Sequence, residues 1–133
     1  MIRISNFDSN GKITPNGVSL EKHEYATVLL LTEMGYDVEL VPRSTREGEH
    51  TPDIIIDNVK WEMKSPTGET RNTIKNNIQG ALRQSVNVIL DLRRVKRPME
   101  KCLRDIEREF THNKKLRRLL VIAKSKKVLD FSK

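Results

Sequence analysis

The sequence predicts an α/β fold in which a mixed central β-sheet is flanked by helices. Strand-like and helical segments alternate along most of the 133 residues. A strand, a helix and a second strand follow one another within residues 59–92, and such a unit implies a right-handed crossover between parallel strands. The second of these strands, NVILDL, is apolar almost throughout, as expected for a strand that is covered on both faces.

Residues 1–18 are rich in Asn, Ser, Gly and Pro, and we interpret them as a leader or edge segment in which Ile2 and Ile4 alternate like a short strand. Residues 19–133 are predicted to form a single domain. Its elements, in order, are a helix over residues 19–34, strands over 36–41, 54–56 and 59–64, a helix over 71–85, a strand over 87–92, a helix over 98–112, and strands over 119–123 and 128–131.

Local signals set the bounds of these elements. Ser19 is the predicted N-cap of the first helix, and Gly35 is its C-terminal stop. The pair Asp57 and Asn58 is typical of a turn between two strands. Pro98 suits the first turn of the third helix, because its missing N–H is not needed there.

The composition favours a polyanionic partner. The chain carries 25 Lys and Arg against 18 Asp and Glu, a formal net charge of +7, which points to nucleic acid first and an anionic membrane second. One cysteine excludes an intrachain disulfide and a cysteine-based zinc cage. No segment has the length of a membrane span and the N-terminus lacks the apolar core of a signal peptide, so we expect no membrane anchor.

The stretch TPDIIIDNVKWEMK, at residues 51–64, predicts a short hairpin with a chemical consequence. Three isoleucines favour a buried strand, a two-residue turn follows, and the next six residues alternate between apolar and charged side chains. Glu62 and Lys64 therefore point the same way, and Asp53 lies at the start of the partner strand. Two carboxylates and an ammonium can converge there, and a divalent cation would remove the repulsion between the carboxylates. The alternative is an exposed strand whose charged face is solvated.

Other charged residues also leave two interpretations open. Glu24 shares a helix face with apolar neighbours, so it is either a functional acid or a side chain that reaches water from the edge of the stripe. Two basic clusters follow predicted elements and suit contacts with phosphates, the alternative being solvated loops. The clusters are Arg93, Arg94, Lys96 and Arg97, and Lys114, Lys115, Arg117 and Arg118.

The order helix, three strands, helix, strand, with Pro-Asp in the second strand and Glu-x-Lys in the third, resembles the PD-(D/E)xK nuclease superfamily over residues 19–92. The resemblance implies an αβββαβ core, here followed by a further helix and strand, and a metal-dependent nuclease activity. It implies that Asp53 and Glu62 ligate Mg²⁺, or alternatively Mn²⁺, with the backbone carbonyl of Met63 as a further ligand.

The same resemblance assigns the two other motif residues. Lys64 would position or activate the attacking water, or stabilise charge on the phosphorane. Glu24 would correspond to the helix glutamate that many members carry at the rim of the metal site.

A narrower resemblance rests on WEMKSPTG, the helix with QGALRQS and the strand NVILDLRR, which are similar to the tRNase-type C-terminal toxin domains of contact-dependent growth inhibition proteins and related polymorphic toxins. It implies tRNA as the substrate and Ser65, Thr67 and Gln84 as residues that line the site. It also implies an acidic cognate immunity protein, delivery as part of a larger secreted protein, and action in the cytoplasm of a target cell.

Two other functions stay open at this point. A DNA endonuclease of restriction or repair type would use the same chemistry, because the scissile phosphodiester is shared. A basic nucleic-acid-binding module would bind without cutting, although all four motif positions carry competent residues. Aromatic residues make up 5% of the chain, which disfavours the stacking of single strands without separating duplex DNA from folded tRNA.

Overall fold

The computed structural model of the chain describes residues 10–46 and 48–133, which form a seven-stranded mixed sheet and three helices. The predicted mixed α/β fold is confirmed, whereas the strand suggested by Ile2 and Ile4 lies outside the described residues. In chain order the elements are β1 (Ile13–Thr14), α1 (Lys22–Glu33), β2 (Val38–Leu40), β3 (Ile54–Ile56), β4 (Val59–Lys64), α2 (Thr73–Ala81), β5 (Asn87–Asp91), α3 (Met99–His112), β6 (Arg118–Ile122) and β7 (Val128–Ser132).

The strands lie in the sheet in their chain order, with β4 in the middle. β4 pairs antiparallel with β3 through the hairpin and parallel with β5 across the connection through α2, as the sequence predicts. β1 and β2 are parallel, as are β5 and β6, and the remaining neighbours are antiparallel. The hairpin is therefore an interior part of the sheet.

Side chains of the central strands alternate between two cores, so both faces of the sheet are covered. Along β5, Ile89 packs in the core that contains α1, whereas Val88 and Leu90 pack in the core that contains α2 and α3. β6 alternates in the same way. Each fully buried aliphatic side chain contributes about 1.5–3 kcal/mol through removal of apolar surface from water, and this burial holds the hairpin between the helices.

A two-residue turn sets the register of the hairpin. Asp57 and Asn58 have φ angles of 51° and 66°, which is the left-handed pair that a type I′ turn requires. Ile54 then lies opposite Trp61. Because a slip of one residue would turn every side chain of β4 to the opposite face, this turn also determines where Glu62 points.

Three predicted element ends differ from the structure. The first helix begins at Lys22 with Glu21 as its N-cap, so the prediction of Ser19 was wrong. The reason is a capping interaction in which the Glu21 backbone N–H donates to Glu24 Oε1 at 2.9 Å. The second helix is shorter than predicted, and Ser85 lies beyond it, where its hydroxyl donates to the Lys60 carbonyl. In the third helix, Pro98 is the N-cap and not the first helical residue.

Replacing Asn58 tests the turn. Asn58→Ala should lower the free energy of unfolding by about 1 kcal/mol, because alanine disfavours the left-handed region, whereas Asn58→Gly should be neutral or stabilising. Urea denaturation followed by circular dichroism measures both changes. Equal stability of the two variants would show that residue 58 does not need a positive φ.

Candidate active site

A cavity of about 260 Å³ opens where β3 begins and β4 ends. It brings together all four residues of the predicted motif, although they come from three different segments of the chain. Its lining includes Glu24, Asp53, Glu62, Lys64 and, from the predicted site-lining residues, Ser65.

The backbone of the hairpin holds Asp53 in place. Met63 N donates to Asp53 Oδ2 at 2.8 Å, so the carboxylate is fixed against the end of β4. Asp53 N also donates to the Trp61 carbonyl at 3.0 Å, and Val41 N donates to the Asp53 carbonyl at 3.0 Å. Asp53 is thereby tied to both neighbouring strands before its side chain meets any ligand.

Glu62 is an acid in an unfavourable environment for its charge. Glu62 is only 6% exposed, and its Oε1 atom has no hydrogen-bond partner among the described residues. Burial and the nearby Asp53 carboxyl group raise the pKa of Glu62 to about 8, against the opposing effects of Lys64 and Arg43. At neutral pH, this carboxyl group holds a proton unless a cation takes the proton's place.

Glu24 has a structural role as well as a place at the cavity. It lines the cavity from α1, and the same carboxylate accepts the hydrogen bond from Glu21 that caps the helix. Capping is a role that neither interpretation of the sequence includes, and the half-buried side chain combines it with a place at the cavity.

Four further residues line the cavity that the sequence patterns did not single out for it. They are His23 and Thr27 of α1, Arg43 from the loop after β2, and Asn77 of α2. Asn77 could have been found from the sequence, because helical spacing places its amide beside the buried apolar residues of α2, Ile74 and Ile78. Nothing in the sequence near Arg43 indicates that it approaches Glu62. Arg43 adds a second Lys or Arg side chain to the cavity that also holds Lys64.

A buried ion pair ties α1 to the end of β5 behind the cavity. Asp91 is 2% exposed, and its Oδ2 atom accepts hydrogen bonds from Thr27 Oγ1 at 2.7 Å and Arg93 Nη2 at 2.8 Å. Burial opposes ionisation of Asp91, but the hydrogen bonds from Arg93 and Thr27 outweigh it and hold the pKa of Asp91 below its ordinary value. Arg93 Nη2 also donates to the Ala26 carbonyl at 3.0 Å.

These contacts give two residues of the first basic cluster a structural role. The Arg93 guanidinium is committed to Asp91 and α1, and Arg97 Nε donates to the buried Asp105 at 2.9 Å. Both guanidinium groups therefore already have a partner inside the domain, and their contact with phosphates stays a prediction. Arg94 and Lys96 are exposed but are not among the residues that line the cavity.

The remaining predicted residues lie elsewhere. Lys114 and Lys115 line a separate groove between α2 and α3. Thr67 and Gln84 are not brought to the cavity, and the side-chain oxygen of Gln84 is buried without a hydrogen-bond partner among the described residues. The cavity therefore contains the acid and lysine positions of the motif but not the predicted basic clusters.

The pair Asp53 and Glu62 offers a small, hard donor set. In the described part of the chain, no group of three or more His, Cys, Asp and Glu residues is arranged to hold a metal ion. Two carboxylates with space for water do not resemble a zinc cage, but they match Mg²⁺, which is held by one or two carboxylates and keeps several waters. The unpartnered Glu62 Oε1 atom fits such a cation.

Two comparisons with known proteins found a match. The family model described as the contact-dependent growth inhibition CdiA C-terminal domain matches residues 49–128, which include the hairpin and everything up to β7. A solved chain of the CdiA-CT/CdiI toxin and immunity complex from Burkholderia pseudomallei is similar with a TM-score of 0.71 and 16% identity, covering 92% of this chain and 100% of that chain. At this identity the likeness is one of fold. The comparison with curated proteins found no match.

Within the described residues, no helix is long and apolar enough to cross a membrane.

The raised pKa of Glu62 predicts a pH-dependent stability of the metal-free protein. Between pH 4.5 and about 8 the folded state keeps the Glu62 proton that the unfolded chain releases, so Glu62 makes the free energy of unfolding fall as the pH rises. Glu62→Gln removes this pH dependence. As the pH rises, the free energy of unfolding of the variant should therefore increase relative to that of the wild type, by at most about 1.4 kcal/mol per pH unit. Urea denaturation in EDTA at pH 5 and pH 8 measures the difference, and an equal difference at both pH values would contradict the shift.

The ion pair behind the cavity predicts a graded loss of stability. Thr27→Val should cost about 1 kcal/mol because one hydrogen bond is removed, whereas Asp91→Ala should cost about 3 kcal/mol because it leaves Arg93 without its partner. A thermal or urea denaturation series at pH 7 tests the ranking. Because the pKa of Asp91 is lowered in the folded state, the stabilisation that its carboxylate provides is present above the ordinary aspartate pKa and is lost as the pH falls.

Proposed function

Since the chain belongs to the contact-dependent growth inhibition CdiA C-terminal domain family, we propose that it is a toxin domain that hydrolyses phosphodiester bonds in RNA, with tRNA as the substrate. The observation that supports a nuclease is the convergence of Asp53, Glu62 and Lys64 in one cavity. These residues lie on a hairpin that follows α1 and precedes the crossover to β5, and the resemblance to PD-(D/E)xK nucleases implies the same order of elements.

Asp53 and Glu62 are the proposed ligands of a divalent cation, Mg²⁺ or Mn²⁺, with the carbonyl of Met63 as a further donor. Such a cation supplies a Lewis acid and makes bound water easier to deprotonate. The support comes from the electrostatics of the pair: burial and mutual repulsion raise the pKa of Glu62, and a cation relieves both the repulsion and the lack of a partner at Oε1. The hydrogen bond from Met63 N keeps Asp53 turned toward the same space.

Lys64 is the proposed electrostatic catalyst. It faces the cavity from β4 and runs alongside Gly80 of α2, where an added Cβ would lie 3.9 Å from the Lys64 Nζ atom. An ammonium held there stabilises negative charge that develops on a phosphoryl group, or orients the attacking water. Arg43 faces the same cavity and adds positive charge where the phosphate would lie.

RNA is proposed over DNA because the segments WEMKSPTG, QGALRQS and NVILDLRR are similar to tRNase-type toxin domains. A DNA endonuclease with the same residues remains the second candidate, since the reacting group is shared. The proposal further includes delivery into a target cell as part of a larger protein and neutralisation by a cognate immunity protein. The structural neighbour, a toxin solved in complex with its immunity protein, supports the last point.

Cleavage of total tRNA by the purified domain in Mg²⁺ tests the function. Asp53→Asn, Glu62→Gln and Lys64→Met should each lower the rate by at least about 100-fold, the order of magnitude expected when one electrostatic interaction with the transition state is removed. Lys60→Met is the matched control, because Lys60 is exposed on the same strand and lies outside the cavity. It should cut like the wild type.

Three outcomes separate the parts of this proposal. Normal cutting by all of the cavity variants would refute the site. Activity that survives EDTA would refute the metal but not the nuclease, because RNA carries its own 2′-hydroxyl nucleophile. Cutting of supercoiled plasmid in preference to tRNA would transfer the proposal to DNA.

A further inference from the structure

A second positively charged feature lies away from the candidate active site. α2 and α3 enclose a groove of about 780 Å³, and two smaller cavities of about 300 and 170 Å³ continue along the same helices and share Arg108 with it. We name this feature the basic groove. Its principal cations are Lys75, Lys101, Arg104, Arg108, Lys114 and Lys115.

Most of the net charge of the chain is concentrated along the basic groove. Its three cavities are lined by eight Lys and Arg residues and by two acids, a surplus of six, against a formal net charge of +7 for the whole chain. One of the acids, Asp105, is 5% exposed and is paired with Arg97, so these two charges offset each other inside the domain and leave the surplus of six unchanged. The formal charges of all other residues of the sequence sum to +1.

The arrangement of these cations has an energetic cost for the free protein. Lys101, Arg104 and Arg108 follow one another at helical spacing on α3, and Arg104 and Arg108 form an i,i+4 pair of like charges. Such pairs destabilise a helix, and the contact of Arg108 Nη1 with Asp105 Oδ1 at 3.8 Å offsets only part of this cost. An external polyanion would turn this repulsion into attraction.

The basic groove and the candidate active site lie on opposite flanks of one helix. Asn77 of α2 lines the active-site cavity, whereas Lys75 and Gln79, two residues before and after it, line the basic groove. A helix with its side chains is about 10–12 Å across. A ligand that reaches both places must therefore extend over α2, and a mononucleotide is too small to do so.

The chemistry of the lining favours a nucleic-acid backbone over a protein. Among the described residues that line the three cavities there is no Phe, Tyr or Trp, and Leu82 is the apolar residue among them. Protein interfaces concentrate aromatic and apolar side chains at their centres, and base stacking needs aromatic rings. Lys and Arg without such anchors suit phosphates.

We propose that the basic groove is a second RNA-binding site, which holds backbone phosphates of a folded RNA while another part of that RNA lies in the active-site cavity. The inference rests on the proposed nuclease function for its choice of RNA. Binding in the basic groove makes the domain selective for large, structured substrates through contacts that take no part in the chemistry.

Salt-dependent binding tests the proposal. Total tRNA is titrated with Glu62→Gln protein, which keeps the RNA uncut, and Lys75, Lys101, Lys114 and Lys115 are changed together to Gln. The groove variant should bind at least 10-fold more weakly at 100 mM KCl, and the slope of log Kd against log salt should fall by about 0.7–0.9 for each phosphate that the variant no longer neutralises. Changing Lys12, Lys60, Lys126 and Lys127 to Gln removes the same charge from exposed positions outside the groove and is the matched control.

The outcomes distinguish this inference from the proposed function. Equal affinity and equal salt slope for the groove variant and the control would overturn the second site, even if the wild-type domain cuts tRNA. A groove-dependent salt slope in a domain that cuts no nucleic acid with any divalent metal would overturn the nuclease and leave the groove as an RNA site. Tighter binding of poly-glutamate than of tRNA, through the same four lysines, would assign the groove to an acidic protein and overturn its assignment to RNA.

Discussion

The repulsion between Asp53 and Glu62 is the constraint around which the site is built. Two carboxyl groups meet at the junction of β3 and β4, one fixed by the Met63 backbone N–H and the other buried with an unpartnered oxygen. A fold gains nothing in stability from such a pair, because burial and like charge both oppose ionisation of Glu62. The surrounding structure holds the pair in place: a type I′ turn fixes the register, and helices on both faces of the sheet keep the hairpin rigid.

The parts of the fold that depend on local patterns could be predicted from the sequence. The hairpin follows from alternation on either side of Asp57 and Asn58, and the parallel pairing of β4 with β5 follows from the helix between them. Because the site residues Asp53, Glu62 and Lys64 are part of that hairpin, their convergence followed from the same pattern. The end of α1 likewise needs only neighbouring residues, since Gly35, with a φ of 96°, directly follows the C-cap Met34.

The parts that depend on contacts between distant segments could not be predicted. Arg93 lies in a basic run and looks like a phosphate contact, but its guanidinium is held by Asp91 and by the Ala26 carbonyl, 67 residues away. Arg43 enters the cavity from a loop whose sequence has no period. The start of α1 differs for a local reason: Ser19 is a better cap by residue type than Glu21, yet the side chain of Glu24, three residues on, decides where the helix begins.

The division of positive charge follows from the same packing. The sequence places basic clusters after β5 and after α3. Folding pairs Arg93 and Arg97 of the first cluster with buried acids, whereas Lys114 and Lys115 of the second join residues of α2 and α3 along one groove. Under the two proposals, the chemistry and the RNA affinity would lie on opposite sides of α2.

The most direct test of the central claim is the position of a metal. Crystals of the domain soaked in Mn²⁺ and measured for anomalous scattering should show a peak between the Asp53 and Glu62 carboxylates, within reach of Lys64, and Glu62→Gln crystals treated in the same way should lose it. A wild-type crystal with saturating Mn²⁺ and no peak in this cavity would contradict the metal-dependent site.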